Sequence, residues 1–117
     1  MKRIITALLF AVLLAAATAS AAFAHPPKDI TCSWDAASST LHVTANHVVD
    51  DPAKHFVLTM TVLQGRNKLA FKQYDKQGAP DKFSDSVVLK GVKSGATVKV
   101  TLLCNIMGTA ETEYKLP

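Results

Sequence analysis

The chain is 117 residues long, 49% hydrophobic, and carries 13 Lys and Arg against 9 Asp and Glu. Without Lys2 and Arg3 the excess falls to +2, 11 basic against 9 acidic residues. A charge this mild and dispersed, with no basic run interleaved with aromatics, excludes a nucleic-acid partner. The absence of a Ser/His/Asp set, of carboxylates at catalytic spacing and of a glycine-rich phosphate loop excludes hydrolase and kinase chemistry.

Met1-Lys2-Arg3 gives a positive start, Ile4–Ala16 is almost wholly apolar, and Ala22-Phe23-Ala24 is an A-x-A cleavage signal. No charged stop-transfer flank follows, so residues 1–24 read as a secretory signal peptide rather than an uncleaved anchor. Cleavage after Ala24 makes His25 the new amino terminus. The protein is then expected in the periplasm or outside the cell, with no membrane attachment. The remaining 93 residues, 25–117, suffice for one small domain with a single core. Cys32 and Cys104 lie in a compartment that permits disulfides, and a bridge between them is one possible state.

After Pro26-Pro27, residues Asp29–Trp34 alternate, with Ile30, Cys32 and Trp34 on one face. Period-two alternation predicts a half-buried strand. Asp35–Ser39 is a turn. Leu41–Ala45 alternates again, with Leu41, Val43 and Ala45 inward; His47 falls in phase with them and His42 does not. Asp50-Asp51-Pro52 forms a turn within the loop that ends at His55. Phe56–Leu63 is apolar on both faces and reads as a central strand, with Phe56, Leu58, Met60 and Val62 together. Gly65-Arg66-Asn67 is a hairpin turn into Leu69–Tyr74.

A loop over Lys76–Lys82 leads to Phe83–Leu89, whose early Ser and Asp residues suggest an edge. Thr97–Cys104 alternates cleanly, with Val98, Val100, Leu102 and Cys104 inward. A corner, Cys104-Asn105-Ile106-Met107-Gly108, precedes Ala110–Leu116. Seven short strands without a helical period predict an all-β, antiparallel β-sandwich.

In such a sandwich the loop from His47 to His55 and the corner after Cys104 can share one end. Imidazole and sulfur donors together suit iron, zinc or copper better than magnesium or calcium. His47, His55 and Cys104 are therefore candidate metal ligands. Met107 and His25 are further candidates, the latter because a free amine plus an imidazole chelates copper well. Asn105 and Gly108 read as turn residues.

Two loop histidines, an apolar strand and a late strand ending in Cys-Asn-x-x-Gly resemble the iron domain of desulfoferrodoxin and neelaredoxin, the superoxide reductases. The resemblance implies a seven-stranded immunoglobulin-like antiparallel β-sandwich over residues 25–117. It implies Fe(II) held by histidines in a plane and an axial cysteinate, with His47, His55, Cys104, Asn105 and Gly108 in matching positions. The activity implied is reduction of superoxide to peroxide, with an external electron donor. The chain differs from the family at three points. Met107 stands where the family motif has its last histidine, the loop histidines are further apart, and only His25 is available as the upstream histidine. Two other functions stay open: a periplasmic copper-binding or carrier protein, and a metal-free binding module held by a Cys32–Cys104 disulfide.

Overall fold

Residues Thr97–Cys104 alternate, and Val98, Val100, Leu102 and Cys104 are all buried. A strand with one apolar face is stable only against a second apolar surface, which also fixes its register. A computed structural model, which describes residues 25–117, supplies that surface as seven antiparallel strands in two sheets. The signal peptide expected over residues 1–24 lies outside the described residues. The strands are β1 (Lys28–Asp35), β2 (Thr40–Asn46), β3 (Val57–Gln64), β4 (Asn67–Gln73), β5 (Lys82–Val88), β6 (Thr97–Cys104) and β7 (Thr109–Lys115). One sheet has the order β1-β2-β5 and the other β4-β3-β6-β7. No helix occurs among the described residues.

The arrangement is β-sandwich-like. Leu41, Val43, Ala45 and Phe83 from the first sheet form one buried cluster with Val57, Met60, Val62, Val98, Val100 and Leu102 from the second. Each fully buried aliphatic side chain contributes about 1.5–3 kcal/mol relative to exposure. β3 is internal, as its two apolar faces predict, and β5 is an edge strand. Trp34 and Cys32 are half-buried and pack on the margin of the core. Gly65, at φ +57°, opens the two-residue loop between paired Gln64 and Asn67, where a side chain would strain the turn.

The strand register shifts at three places, one of them between Val62 and Leu63 near the β3–β4 hairpin, and two of these β-bulges bear on the candidate ligands. Between Val57 and Thr59 the β3–β6 register slips, so Val57 pairs with Cys104 and Thr59 with Leu103. The extra residue reverses the phase of the chain before it. Val57 is consequently buried on the same side as Met60 and Val62, whereas alternation alone groups Phe56 and Leu58 with them. A second bulge lies between Lys28 and Thr31, opposite Asn46 and Thr44. There Asp29 has φ +53° and its carboxylate accepts a hydrogen bond from Asn46 Nδ2 at 3.0 Å. Both bulges sit at the end of the molecule that carries the candidate ligands, where bulges commonly re-aim side chains.

The two sheets are tied along the β4–β5 side by a polar group. Asp85 accepts from Lys72 Nζ at 3.1 Å and from the Tyr74 hydroxyl at 2.5 Å, while Lys72 also donates to the Ser86 carbonyl at 2.9 Å. Burial alone would raise the Asp85 pKa, but the bonds from Tyr74, the Ser86 amide and Lys72 outweigh it and hold the carboxyl below its usual range. Burial, then the Asp85 carboxylate, push the Tyr74 phenol up, so it stays a donor.

Because the folded-state pKa of Asp85 is depressed, its contribution to stability is present above the unfolded value near 4 and is lost as pH falls through the folded value. Asp85→Asn is expected to lower unfolding free energy by about 1–2 kcal/mol at pH 7, the figure being reduced for partial exposure of the pair. Urea titrations of both proteins at pH 7 and below pH 4 check this; the difference should shrink in acid.

Candidate metal centre

β2 delivers His47. Leu41, Val43 and Ala45 face the core, and His47 continues their phase one residue beyond the strand, with no exposed surface. A buried imidazole needs partners. Gln77 supplies the first: its Nε2 donates to the carbonyls of His47 and Ala79, both at 2.8 Å. That double donation fixes the amide orientation, so Gln77 Oε1, 2.7 Å from His47 Nδ1, must accept from it. His47 therefore carries its proton on Nδ1. In the neutral ring, the form that can bind a metal, the Nε2 lone pair then faces the His25 carbonyl oxygen at 3.3 Å.

His55 arrives from the loop between β2 and β3. The Asp51 carbonyl accepts from the amides of Lys54 and His55, and Asp51 Oδ1 accepts from the Ala53 amide, closing a tight turn. The bulge at the start of β3 gives the preceding chain the core-facing phase, and His55 is buried. Its flanks are held by Asn105. The Phe56 amide donates to Asn105 Oδ1 at 2.9 Å, Asn105 Nδ2 donates to the Lys54 carbonyl at 2.9 Å, and the Asn105 amide donates to the Phe56 carbonyl at 3.0 Å. Asn105 thus acts across the end of the molecule, beyond the local turn role its position in the sequence suggests. Burial, then the nearby His47 and His25 imidazoles, push the His55 pKa below the ordinary histidine range. A hydrogen bond to the His25 backbone and the charge of Asp50 oppose this without reversing it. The neutral ring is the form that can bind a metal.

Cys104 closes β6 in the inward phase and is buried. Its amide donates to the Gly108 carbonyl at 3.0 Å, which tightens the corner. Gly108 has φ +82°, and a Cβ there would lie 2.9 Å from Pro26 Cβ. Both facts call for glycine. Cys104 and Cys32 are free thiols, so the bridge that the sequence allows is not formed. Burial pushes the Cys32 thiol up and leaves it inert.

One ligand atom each from His47, His55 and Cys104 lies within 4.8 Å of the others, a possible His/His/Cys metal-binding cluster. Atoms bonded at ~2.0–2.3 Å to a common ion can stand at most ~4.6 Å apart, so small side-chain adjustments would let all three share one. The His55 Nε2 to Cys104 Sγ separation is 3.1 Å. Bonds of ~2.1 and ~2.3 Å at right angles give ~3.1 Å, and at a tetrahedral angle ~3.6 Å. The donor set therefore fits a shared ion. In the metal-free chain the same contact serves as an N/S hydrogen bond.

His25 stands beside the cluster. Its ring centroid is 5.4 Å from that of His47 and 5.6 Å from that of His55, and its Nε2 bonds the Val48 carbonyl at 2.9 Å. Met107 is 53% exposed and turns outward with Ile106 from the corner. His42 is exposed on β2 and bonds Ser86 Oγ. Gln77 has no signal in the sequence: a glutamine in a polar loop between Lys76 and Gly78 looks like solvated surface, yet it is buried.

The comparisons give no relative. No protein-family model, curated protein or solved structure matches the chain.

Gln77→Leu keeps the approximate size and strands the Nδ1 proton of His47. It is expected to cost about 1–3 kcal/mol of stability and to weaken metal binding roughly 10–100-fold, measured by chemical denaturation and by competition with a chelator. Asn105→Ala should destabilise by a similar ~1–3 kcal/mol. Asn105→Asp, which keeps the acceptor for Phe56 but not the donor to Lys54, should fall between Asn105→Ala and wild type in the same two measurements.

Proposed function

We propose that this chain is an exported, mononuclear iron protein of the desulfoferrodoxin type, an immunoglobulin-like sandwich with superoxide reductase-like activity. The observation that carries this reading is the convergence of His47, His55 and Cys104 at one rim of the two sheets. The sheet orders β1-β2-β5 and β4-β3-β6-β7 are in keeping with such a sandwich, which pairs sheets of three and four strands.

Cys104 would hold the iron through its sulfur in this reading, and His47 and His55 through imidazole nitrogens. A ferrous ion held there would supply the single electron that, with two protons, takes superoxide to hydrogen peroxide, and an external donor would have to return that electron. The chain's own residues do the rest. Gln77 holds the His47 ring with Nε2 presented inward, and Asn105 holds the backbone on both sides of His55. Burial keeps water from competing freely for the donors. Lys28, in the shallow cleft beside His25 and Val48, offers positive charge near the rim to a small anion. His25 and Met107 are the residues nearest in space or sequence that could add further donors.

A copper-binding function draws on the same donors, since imidazole and thiolate also suit copper. Element-resolved metal analysis of the exported protein decides between the two. Iron at about one per chain, with superoxide consumed without release of dioxygen, supports the reductase. Copper without iron overturns it. Cys104→Ser is expected to lower iron content at least about tenfold and to abolish the visible sulfur-to-iron charge-transfer absorption of the oxidised protein.

A further inference from the structure

His25 reaches the cluster with its backbone as well as its ring. Its carbonyl oxygen lies 3.3 Å from His47 Nε2, and its ring centroid is 5.6 Å from that of His55. The α-nitrogen is only three bonds from that oxygen. The segment is well anchored: Pro27 is fully buried, Pro26 packs on Gly108, and His25 Nε2 bonds the Val48 carbonyl. A carbonyl accepts, so that bond puts a proton on Nε2, and in the neutral ring the Nδ1 lone pair faces the Pro26 carbonyl oxygen at 3.2 Å, a contact it gives up to bind an ion. Nδ1 and the α-nitrogen of one histidine can close a six-membered chelate ring on an ion.

In the unprocessed chain this nitrogen is an amide, its lone pair delocalised into the Ala24 carbonyl, and it is a poor ligand. Hydrolysis of the Ala24–His25 bond by a leader-cleaving peptidase consumes one water. It leaves a carboxylate on Ala24 and a primary amine on His25. We infer that this cleavage completes the metal centre: the new α-amine and Nδ1 of His25 join His47, His55 and Cys104, so that full metal affinity develops only in the processed protein. The inference rests on the metal-centre reading above and on cleavage after Ala24. It accounts for a histidine held against two other histidines at the expected first residue of the exported chain, and it supplies a nitrogen donor where Met107 replaces the family's last histidine.

The test compares two chains that differ by one residue, one beginning at His25 and one retaining Ala24 in front of it. Residues 25–117 hold every strand and every core residue described here, and His25 occupies its position with Ala24 attached, so both chains are expected to fold. Each is titrated anaerobically with Co(II), and affinity and the visible spectrum are recorded. The chain beginning at His25 should bind one Co(II) roughly 10–100-fold more tightly, with a changed d–d spectrum. A chain beginning at residue 25 with His25→Ala keeps the amine without the ring and should bind no better than the Ala24-retaining chain. Equal affinity and identical spectra for the first two chains overturn the inference while leaving the His/His/Cys centre intact, as does full affinity in His25→Ala. Failure of every chain to bind Co(II) overturns the metal centre itself, and the inference with it.

Discussion

Asn105 holds the candidate centre together. Its side chain bonds the Lys54 carbonyl and the Phe56 amide, the two peptide groups that flank His55, and its own amide bonds the Phe56 carbonyl. Asn105 follows Cys104 directly, so the residue that fixes His55 is itself fixed to the sulfur. The loop carrying His55 is thereby locked to the end of β6 by three hydrogen bonds, and the 3.1 Å approach of Nε2 to Sγ follows from that lock. A loop histidine without such a tie would lose the approach to conformational entropy, because ordering one backbone residue costs about 1–2 kcal/mol.

The lock can act only because the strands arrive in the right phase. β2 and β6 each end on a core-facing position, which aims His47 and Cys104 inward at one rim. β3 alone would aim the loop before it the other way, since Met60 and Val62 face the core and uninterrupted alternation would group Leu58 and Phe56 with them. The bulge between Val57 and Thr59 removes that conflict by one residue. A one-residue shift in a strand exchanges its two faces, and here the exchange brings the chain around His55 to the sulfur.

The parts of this arrangement visible in the sequence are those governed by period two. Six core positions of β2 and β6, the inward phase of His47 and Cys104, the exposed His42 and the glycine at 108 all follow from alternation or from a positive φ. The parts that are not visible depend on pairing between distant segments. Nothing near Leu58 marks a bulge, because it is set by the β3–β6 register and not by a local glycine or proline. Gln77 looks like surface, and its burial becomes intelligible only once the loop after β4 is seen to bond Pro52 through the Gln77 amide. Asn105 could as well have closed its own corner. Its choice of the His55 loop is a tertiary fact.

The chemistry of the donors separates a metal centre from an ordinary polar cluster. A buried histidine that is merely satisfied has a complementary partner at each nitrogen. His47 has one at Nδ1, where Gln77 accepts, but at Nε2 the neutral ring meets only a carbonyl oxygen, itself an acceptor, at 3.3 Å. Burial, then the neighbouring His47 and His25 imidazoles, depress the His55 pKa and favour its neutral, metal-binding form. Two buried imidazoles and a buried thiol whose ligand atoms lie within 4.8 Å of one another form a donor set that a single multivalent cation would match.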